Sequence, residues 1–279
     1  MKGHIVMATR ITSKDNFIVK RMKQLEAKKY RDRLSRFVIE GPTVLQEAFD
    51  ESIKLEFAVY SDWFTRSEGA EDIIHRLEDK GIPVYSVDDR LFSSLSGTET
   101  PQGILAVAEK PEWDRSVLTK PGANFIVLDR VADPGNIGTI VRTTEAAGFE
   151  AIIVIKGTAD LYSGKVSRAA AGALMRMPVF YAESGDELVS MMKKGGKKIV
   201  CTDPRSKVYY YNIDIARDTA IIIGNEASGV SREIFECADL TAGIPMEGKT
   251  ESLNAAVASS ILMYESLRQK NMQKTALDK

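Results

Sequence analysis

The feature of this sequence that most limits its fold is a series of short, almost uninterrupted apolar runs in its second half. The runs are Phe125–Leu128, Ile152–Ile155, Val179–Tyr181, Ile199–Cys201, Ala220–Ile223 and Leu240–Ile244. Each run has the length of a strand, and stretches with helical character lie between most of them. Strands that are apolar on both faces are typical of a parallel sheet that helices cover on both sides. We therefore expect an α/β domain with a mostly parallel sheet in this half of the chain.

The first part of the chain also alternates between helical and extended patterns. Residues 15–34 combine basic side chains with apolar residues at roughly helical spacing, and a strand is predicted at Phe37–Ile39. Pro42 is well placed to open the next helix. Further strands are predicted at residues 55–60, 84–87 and 104–108, and a helix over residues 71–80. This alternation predicts a compact α/β unit.

A break in the pattern separates the two parts. Residues 111–123 contain two prolines and no periodicity, which predicts a linker. We therefore expect a smaller α/β domain over residues 1–110 and a second domain over residues 124–270. The polar residues 271–279 are expected to form a flexible tail.

Two helices of the second domain are predicted with their buried faces. Asn136 is a plausible N-cap for the first. Its buried stripe is predicted to consist of Ile137, Ile140, Val141 and Thr144. Arg142 follows Val141 of this stripe and is rotated from it by about 100° round the helix axis, so it lies at the edge of the buried face. The last helix is predicted over residues 252–268, with a buried stripe of Leu253, Val257, Ile261, Tyr264 and Leu267.

The charge of the chain is balanced overall but unevenly distributed. Its 38 Lys and Arg residues against 39 Asp and Glu residues give a formal net charge of −1. Residues 1–40, in contrast, contain 11 basic and four acidic side chains. A basic end on an acidic body favours a polyanionic partner bound at that end. A solvated helix face is the alternative explanation of the same residues.

Residue counts and spacing exclude several common kinds of site. The two cysteines are far apart and the chain has two histidines, which argues against a disulfide framework, a zinc site and most histidine-based triads. We therefore expect no metal. A phosphate-binding P-loop, a G-x-G-x-x-G after the strand at Phe125–Leu128 and a G-x-S-x-G motif are all absent, which disfavours an ATPase, a dinucleotide enzyme and a serine hydrolase. No apolar segment reads as a signal peptide or membrane span, so a cytoplasmic protein is expected.

Three glycine-bearing segments each follow a predicted strand of the second domain. They cover residues 128–142, 221–230 and 243–256. Ligands of open parallel sheets lie outside the carboxyl ends of the strands, so these segments are the place to look for a site. Taken singly, each has an ordinary structural explanation. Arg142 is then a surface arginine, the second segment is a tight turn, and Thr250 or Ser252 caps the last helix.

The order of the three segments is more specific than any one of them. They read N-x-G-x-x-x-R from Asn136, I-I-x-G-N-E-x-x-G-V from Ile221, and I-P-M-x-G-x-x-x-S-L-N-A-A-V-A from Ile244. Over about residues 124–268, this combination resembles the SpoU/TrmH family of SPOUT RNA methyltransferases. Through residues 37–41 and 98–104, the first domain is similar to the L30e-like substrate-binding domain that many members have.

The resemblance implies a fold, a reaction and an assembly. The fold is a C-terminal SPOUT domain with a deep trefoil knot, which periodicity could not have shown, preceded by the L30e-like domain. The reaction is methylation of a ribose 2′-hydroxyl in structured RNA, most simply ribosomal RNA, with S-adenosylmethionine as the methyl donor. The assembly is a homodimer formed through the C-terminal domain, with both subunits contributing near the site.

The resemblance also implies roles for individual residues. The residues expected at the reaction are Asn136, Arg142, Glu226, Ser252 and Asn254. The residues expected to contact S-adenosylmethionine are Thr202, Gly224, Asn225, Glu226, Gly229, Ile244, Pro245, Met246, Ser252, Leu253, Asn254 and Ala256. RNA is expected to contact Lys28, Lys29, Arg31, Arg33, Arg36 and Arg142.

The chemistry of such a reaction suggests what Arg142 does. A ribose hydroxyl is a poor nucleophile and a sulfonium methyl is already activated, so the protein must align the two and stabilise a developing alkoxide. A guanidinium keeps its proton in proteins, so we expect Arg142 to stabilise charge rather than act as a base. The alternatives are a non-catalytic RNA-binding or ribosome-assembly protein that kept the fold, and a transfer-RNA methyltransferase.

Overall fold

The structure is a computed structural model that describes residues 8–277 and divides into two compact units. The first contains residues 8–111 together with Tyr162–Met175, and the second contains Glu112–Leu161 together with residues 176–277. Tyr162–Met175 was predicted to belong to the second domain, so its place in the first unit differs from the prediction. No helix among residues 8–277 is both long enough and apolar enough to cross a membrane.

The first unit is built on a five-stranded mixed sheet. Its strands are β1 (Thr9–Ile11), β2 (Arg36–Glu40), β3 (Leu55–Ser61), β4 (Val84–Val87) and β5 (Ile104–Glu109). They lie in the order β1-β4-β3-β5-β2, where β1, β4 and β3 are parallel and β5 is antiparallel to both of its neighbours. The helices of this stretch are α1 (Phe17–Gln24), α2 (Lys28–Leu34), α3 (Pro42–Asp50), α4 (Ala70–Asp79) and α5 (Asp89–Ser96). Neither β1 nor α5 was predicted from the sequence.

The single helix predicted over residues 15–34 is two helices, α1 and α2. The chain leaves the helical conformation at Ala27, which is extended. The break leaves the carbonyls of Leu25 and Glu26 free to accept hydrogen bonds from the Arg31 guanidinium, at 2.5 and 2.7 Å. Arg31 is 5% exposed as a result. It therefore stabilises the turn between the two helices.

The second unit contains the parallel sheet that the apolar runs predicted. Its strands are β6 (Phe125–Leu128), β7 (Ala151–Ile155), β8 (Val179–Ala182), β9 (Lys198–Thr202), β10 (Thr219–Ile223) and β11 (Leu240–Ala242). They lie in the order β11-β9-β10-β6-β7-β8, and every neighbouring pair is parallel. Every residue of β6, β7 and β10 is buried. These central strands form the core of the unit.

The helices of this half are α6 (Pro134–Ala146), α7 (Gly164–Ala169), α8 (Gly185–Lys194), α9 (Arg232–Phe235) and α10 (Ala255–Leu277). Of these, α7 lies in the segment that belongs to the first unit. There the Tyr162 ring packs edge-on against Phe37, and Arg168 pairs with the buried carboxylate of Glu40 at 3.3 Å. These contacts attach the segment to β2.

The predicted N-cap of α6 was wrong. Asp133, not Asn136, caps the helix, because its carboxylate accepts a hydrogen bond from the Asn136 backbone nitrogen at 2.8 Å. Pro134 then occupies the first turn, where its missing N–H costs nothing. Asn136 therefore lies inside the helix with its side chain free for other contacts. The predicted stripe is correct, and its members Ile137, Ile140, Val141 and Thr144 are all buried.

The predicted buried face of the last helix was also wrong. Val257 is 49% exposed and Tyr264 is 51% exposed. The residues buried instead are Ala256, Ser259, Leu262, Met263, Glu265 and Ser266. The serines are buried because their hydroxyls donate to backbone carbonyls, as Ser266 does to Ile215 at 2.7 Å. The helix also begins later than predicted, at Ala255. It includes residues 271–277, which were expected to belong to a flexible tail, and the last two residues of that tail, 278–279, lie outside the described residues.

Candidate active site

The candidate site lies at the carboxyl edge of the parallel sheet. Because all neighbouring strands are parallel, the loops that follow β6, β9, β10 and β11 leave from the same edge. These loops contain the three segments singled out in the sequence, together with residues 203–205 after β9. The sheet thus brings together segments that are far apart in the chain, as expected for a ligand site of this architecture.

The loop after β10 is a tight turn that requires glycine. A Cβ on Gly224 would lie 2.3 Å from the backbone carbon of Gly229, which is closer than real Cβ atoms approach. Asn225 and Gly229 exchange two backbone hydrogen bonds of 3.0 and 2.9 Å, and Gly229 has a φ of +68°. The Asn225 side chain donates to the carbonyl of Arg130 at 2.9 Å, which joins this loop to the one after β6.

Glu226 holds the beginning of α6. Its carboxylate accepts hydrogen bonds from the backbone nitrogens of Ala132 and Asp133, at 3.2 and 3.3 Å, and from the Asn136 side-chain amide at 2.9 Å. Partial burial acts to raise the pKa of Glu226, but these hydrogen bonds outweigh it and the pKa lies below its ordinary value. Glu226 is therefore an ionised acceptor near neutral pH.

A chain of side chains connects Glu226 to the last helix. Because a carboxylate can only accept, Asn136 must turn its amide nitrogen towards Glu226 and its oxygen away. That oxygen accepts a hydrogen bond from the Asn254 amide at 2.8 Å. The Asn254 oxygen caps α10 by accepting from the backbone nitrogens of Ala256 and Val257, at 2.9 and 3.3 Å. The hydrogen bonds thus fix Glu226, Asn136 and Asn254 in one orientation.

A cleft of about 560 Å³, which we call the main cleft, is lined by Glu226 and Asn254, the two ends of this chain of side chains, but not by Asn136. Its volume is within the usual range for small-molecule sites. Of the residues expected to contact the cofactor, those that line it are Thr202, Gly224, Asn225, Glu226, Gly229, Ile244, Met246, Ser252, Leu253 and Asn254. Pro245 and Ala256 are not among the lining residues, and Ala256 is 5% exposed because it faces the core.

Part of the lining of the main cleft was not predicted from the sequence. Asp203, Pro204 and Arg205 follow β9 at the same edge of the sheet and line the main cleft. The rule that ligands meet the carboxyl ends of parallel strands could have found them, since β9 was predicted. Ala258 and Leu262 of α10 also line it, and only the true buried face of that helix shows this.

Arg142 is not brought into the main cleft of its own chain. It lies six residues after Asn136 in α6, about 9 Å along the helix axis, and its side chain is exposed. In the part of the chain that the structure describes, its guanidinium makes no hydrogen bond or ion pair. Arg142 is therefore available to a group outside this chain.

The basic residues of the first unit fall into two groups. Lys28, Lys29 and Arg33 are exposed, and Lys29 and Arg33 lie 4.9 and 5.0 Å from the centre of the Tyr30 ring. Arg31 is buried, so its expected contact with RNA was wrong. Arg36 makes ion pairs with Glu56 at 3.3 Å and Glu109 at 3.1 Å, which gives it a structural role in β2.

Comparisons with known proteins agree with the fold. Residues 123–264 match the model of the SpoU rRNA Methylase family, and residues 16–106 match an MRM3-like substrate binding domain. The chain is 35% identical over 254 residues to the 23S rRNA (guanosine(2553)-2′-O)-methyltransferase RlmP of Bacillus subtilis, covering 91% of this chain and 97% of that protein.

Solved structures similar to this chain are also rRNA methyltransferases or SpoU methyltransferases. The AdoMet-bound rRNA methyltransferase from Sinorhizobium meliloti has a TM-score of 0.83 at 31% identity, covering 94% of this chain and 98% of that one. The SpoU methyltransferase AviRb from Streptomyces viridochromogenes, in complex with AdoMet, has a TM-score of 0.80 at 26% identity, covering 92% of this chain and 100% of that one. The chain belongs to the SpoU rRNA methylase family.

Proposed function

We propose that this protein transfers the methyl group of S-adenosylmethionine to a ribose 2′-hydroxyl of ribosomal RNA. The observation that carries the proposal is the main cleft, which the loops after β9, β10 and β11 line together with Glu226 and Asn254, the two residues that Asn136 links by hydrogen bonds. A relative at 35% identity over nearly its whole length is a 23S rRNA 2′-O-methyltransferase, which identifies the substrate class.

The residues of the main cleft fit S-adenosylmethionine. Ile244, Met246 and Leu253 supply apolar surface for a purine ring, and the glycines after β10 leave backbone groups accessible. When bound, the cofactor supplies an electrophilic methyl group. Structural neighbours bound to AdoMet support the same assignment.

Glu226 acts by positioning rather than by attack on the substrate. Two backbone amides and the Asn136 amide occupy its oxygens, and its lowered pKa keeps it ionised. It thereby fixes Asn136 and Asn254 where they can orient a ribose or phosphate, while Ser252 presents a hydroxyl on the lining of the main cleft. Alignment of this kind is a large part of catalysis for two reactants that need no covalent intermediate.

Arg142 is proposed to act in a second copy of the chain. Val257 and Tyr264 lie about two turns apart on α10 and are both about half exposed, which gives the helix an apolar face outside its own core. Helices α6 and α10 pack side by side through Thr143 and Ser260, so a homodimer formed on α10 also brings Arg142 of one copy near the other. There its guanidinium stabilises the developing alkoxide, and phosphate or solvent accepts the proton.

Mixed dimers test this arrangement. An Arg142→Ala chain keeps its own main cleft, and an Asn136→Ala chain keeps its arginine. If Arg142 acts across the dimer, a purified mixed dimer regains one complete site and about half of the wild-type turnover, although each parent dimer is inactive. A mixed dimer as inactive as its parents contradicts the proposal.

The exposed Lys28, Lys29 and Arg33 are proposed as an RNA-docking surface on the first domain. Their positive charge suits the phosphate backbone of RNA. The side chains of Lys29 and Arg33 also make cation–π contacts with the Tyr30 ring. We further propose the domain limits 1–110 and 124–270, with Tyr162–Met175 as a segment of the second range that packs in the first unit. The trefoil knot and a cytoplasmic location, where ribosomal RNA is found, are also proposed. The match to an MRM3-like substrate binding domain supports the role of the first domain.

The function is tested with purified protein, labelled S-adenosylmethionine and deproteinised ribosomal RNA. A 2′-O-methyl group blocks alkaline cleavage of the next phosphodiester bond, so the label should appear in alkali-resistant dinucleotides. Transfer-RNA serves as the competing substrate. Label in transfer RNA alone would assign the enzyme to that substrate, and cofactor binding by calorimetry without any transfer would identify a non-catalytic RNA-binding protein.

A further inference from the structure

A second cleft of about 610 Å³ lies beside the main cleft in the same unit. The two share Thr202, Asp203, Pro204, Arg205, Ala227 and Gly229. The second cleft alone is lined by Arg130, Ser228, Val230, Ser231, Arg232, Phe235 and Glu236. A ligand in the second cleft would therefore lie next to one in the main cleft.

Three arginines line the second cleft, and each is held in the same way. The Nε atom of each donates to a carboxylate: Arg130 to Asp129 at 3.0 Å, Arg205 to Asp203 at 3.3 Å, and Arg232 to Glu236 at 2.6 Å. Within residues 8–277, the Nη atoms of these guanidiniums have no hydrogen-bond partner. The buried Asp129 carboxylate orients the Arg130 guanidinium, whereas Arg205 and Arg232 are exposed side chains; all three keep their terminal donors available.

Arg130 has a backbone conformation that needs support. Its φ is +59°, in the left-handed region that residues other than glycine rarely adopt. The Thr158 hydroxyl accepts its backbone N–H and the Asn225 amide donates to its carbonyl, both at 2.9 Å. These two hydrogen bonds hold Arg130 in that conformation at the edge of the second cleft.

Ser231 supplies the observation that indicates a ligand. The residue is 6% exposed and lines the second cleft, but its hydroxyl has no hydrogen-bond partner within residues 8–277. Its backbone nitrogen is already bonded to the buried carboxylate of Asp129, at 2.5 Å. A buried hydroxyl without a partner is unfavourable, so native structures nearly always provide one.

We propose that the second cleft binds a phosphate group of the RNA backbone next to the nucleotide in the main cleft. Paired terminal N–H groups of arginine match phosphate oxygens. The Ser231 hydroxyl is out of reach of solvent in this structure, and rotation about its Cα–Cβ bond would present it to the phosphate as a further donor. Asp203 and Glu236 also line the second cleft, but their charges are engaged by Arg205 and Arg232. This inference rests on the proposed RNA substrate and names where its backbone is held.

The test uses full-length protein with Arg232→Ala, Ser231→Ala and the control Arg217→Ala, an exposed arginine of the same unit that does not line the second cleft. Affinity for ribosomal RNA is measured over a series of salt concentrations, and affinity for S-adenosylmethionine by calorimetry. Arg232→Ala should weaken RNA binding roughly tenfold at low salt and reduce the slope of log K against log salt by about one. Ser231→Ala should weaken it about fivefold.

The stability of Ser231→Ala distinguishes ligand binding from a structural role. Because the hydroxyl has no partner in the protein, its removal should leave the melting temperature of the RNA-free protein unchanged or raise it. A lower melting temperature with unchanged RNA affinity overturns the proposal. Weaker cofactor binding with unchanged RNA binding also overturns it, since the second cleft would then hold the cofactor's carboxylate. A wild-type protein that does not methylate RNA would instead refute the proposed function.

Discussion

Replacing Glu226 by glutamine tests whether this carboxylate organises the site. Glutamine has one acceptor oxygen where glutamate has two, and its NH₂ group must face one side of the cluster of donors. Oε1 accepts from Asp133 and Asn136, and Oε2 accepts from Ala132. Whichever way the amide points, at least one N–H faces another donor.

The size of the effect follows from those hydrogen bonds. A hydrogen bond to a charged acceptor contributes about 1.5–3 kcal/mol, and the exposure of Glu226 places this one at the lower end. A loss of about 1.4 kcal/mol in transition-state stabilisation lowers kcat/KM roughly tenfold. Glu251→Gln is the matched control, because Glu251 lines the same cleft and makes no hydrogen bond in the described part of the chain.

The assay is methyl transfer to ribosomal RNA under steady-state conditions, with cofactor affinity measured separately. We expect Glu226→Gln to lose about tenfold in kcat/KM and Glu251→Gln to stay within about twofold of wild type. Equal losses in both variants would show that the charge of the cleft matters rather than the hydrogen bonds. Wild-type activity in Glu226→Gln would refute the positioning role.

The remaining predictions concern pH, the glycine turn and the basic residues. The pKa of Glu226 is lowered in the folded state, so the ionised carboxylate stabilises the fold above the ordinary pKa of 4.5, and this stabilisation is lost as pH falls through the folded pKa. Glu226→Gln lacks this group and should therefore lose less thermal stability than wild type on acidification. Gly224→Ala should destabilise the protein by about 1–3 kcal/mol in denaturant unfolding and abolish cofactor binding. Arg31→Ala should cost about 2–4 kcal/mol of stability. Lys28→Glu with Lys29→Glu should leave stability unchanged and weaken RNA binding at least roughly tenfold; unchanged RNA affinity would refute the docking surface.

The parts of the fold that were predictable are those that local pattern decides. The strands of the second unit are apolar on both faces, and that requires burial between two layers of helices. Loops that follow parallel strands must share one edge, so the meeting of Gly224, Ile244 and Asn136 at one site could be expected. Here local and global preferences agree.

The errors came where tertiary contacts override local pattern. Asp133 and Asn136 are both good N-cap residues. The Asn136 side chain instead donates a hydrogen bond to Glu226, which is distant in sequence, and Asp133 caps the helix. Ser259 and Ser266 are buried in α10 because backbone carbonyls accept their hydroxyls, which no hydrophobicity pattern shows.

Arg31 and the segment Tyr162–Met175 illustrate the same limit. A basic residue in a basic stretch is expected to face solvent, but Arg31 is needed by two carbonyls at the end of α1. The segment has the composition of an ordinary crossover between two strands. Its place in the first unit depends on the pairing of Arg168 with Glu40, and that partner lies in the other half of the sequence.

The most direct test of the central claim is a map of ribose methylation in ribosomal RNA. Ribosomal RNA is compared from cells that lack the protein, cells that express it, and cells that express the Asn136→Ala variant. We predict that one or a few 2′-O-methylated nucleotides are present only with the wild-type protein and are lost with the variant. Identical methylation maps in all three, with the wild-type protein present and folded, would contradict the account.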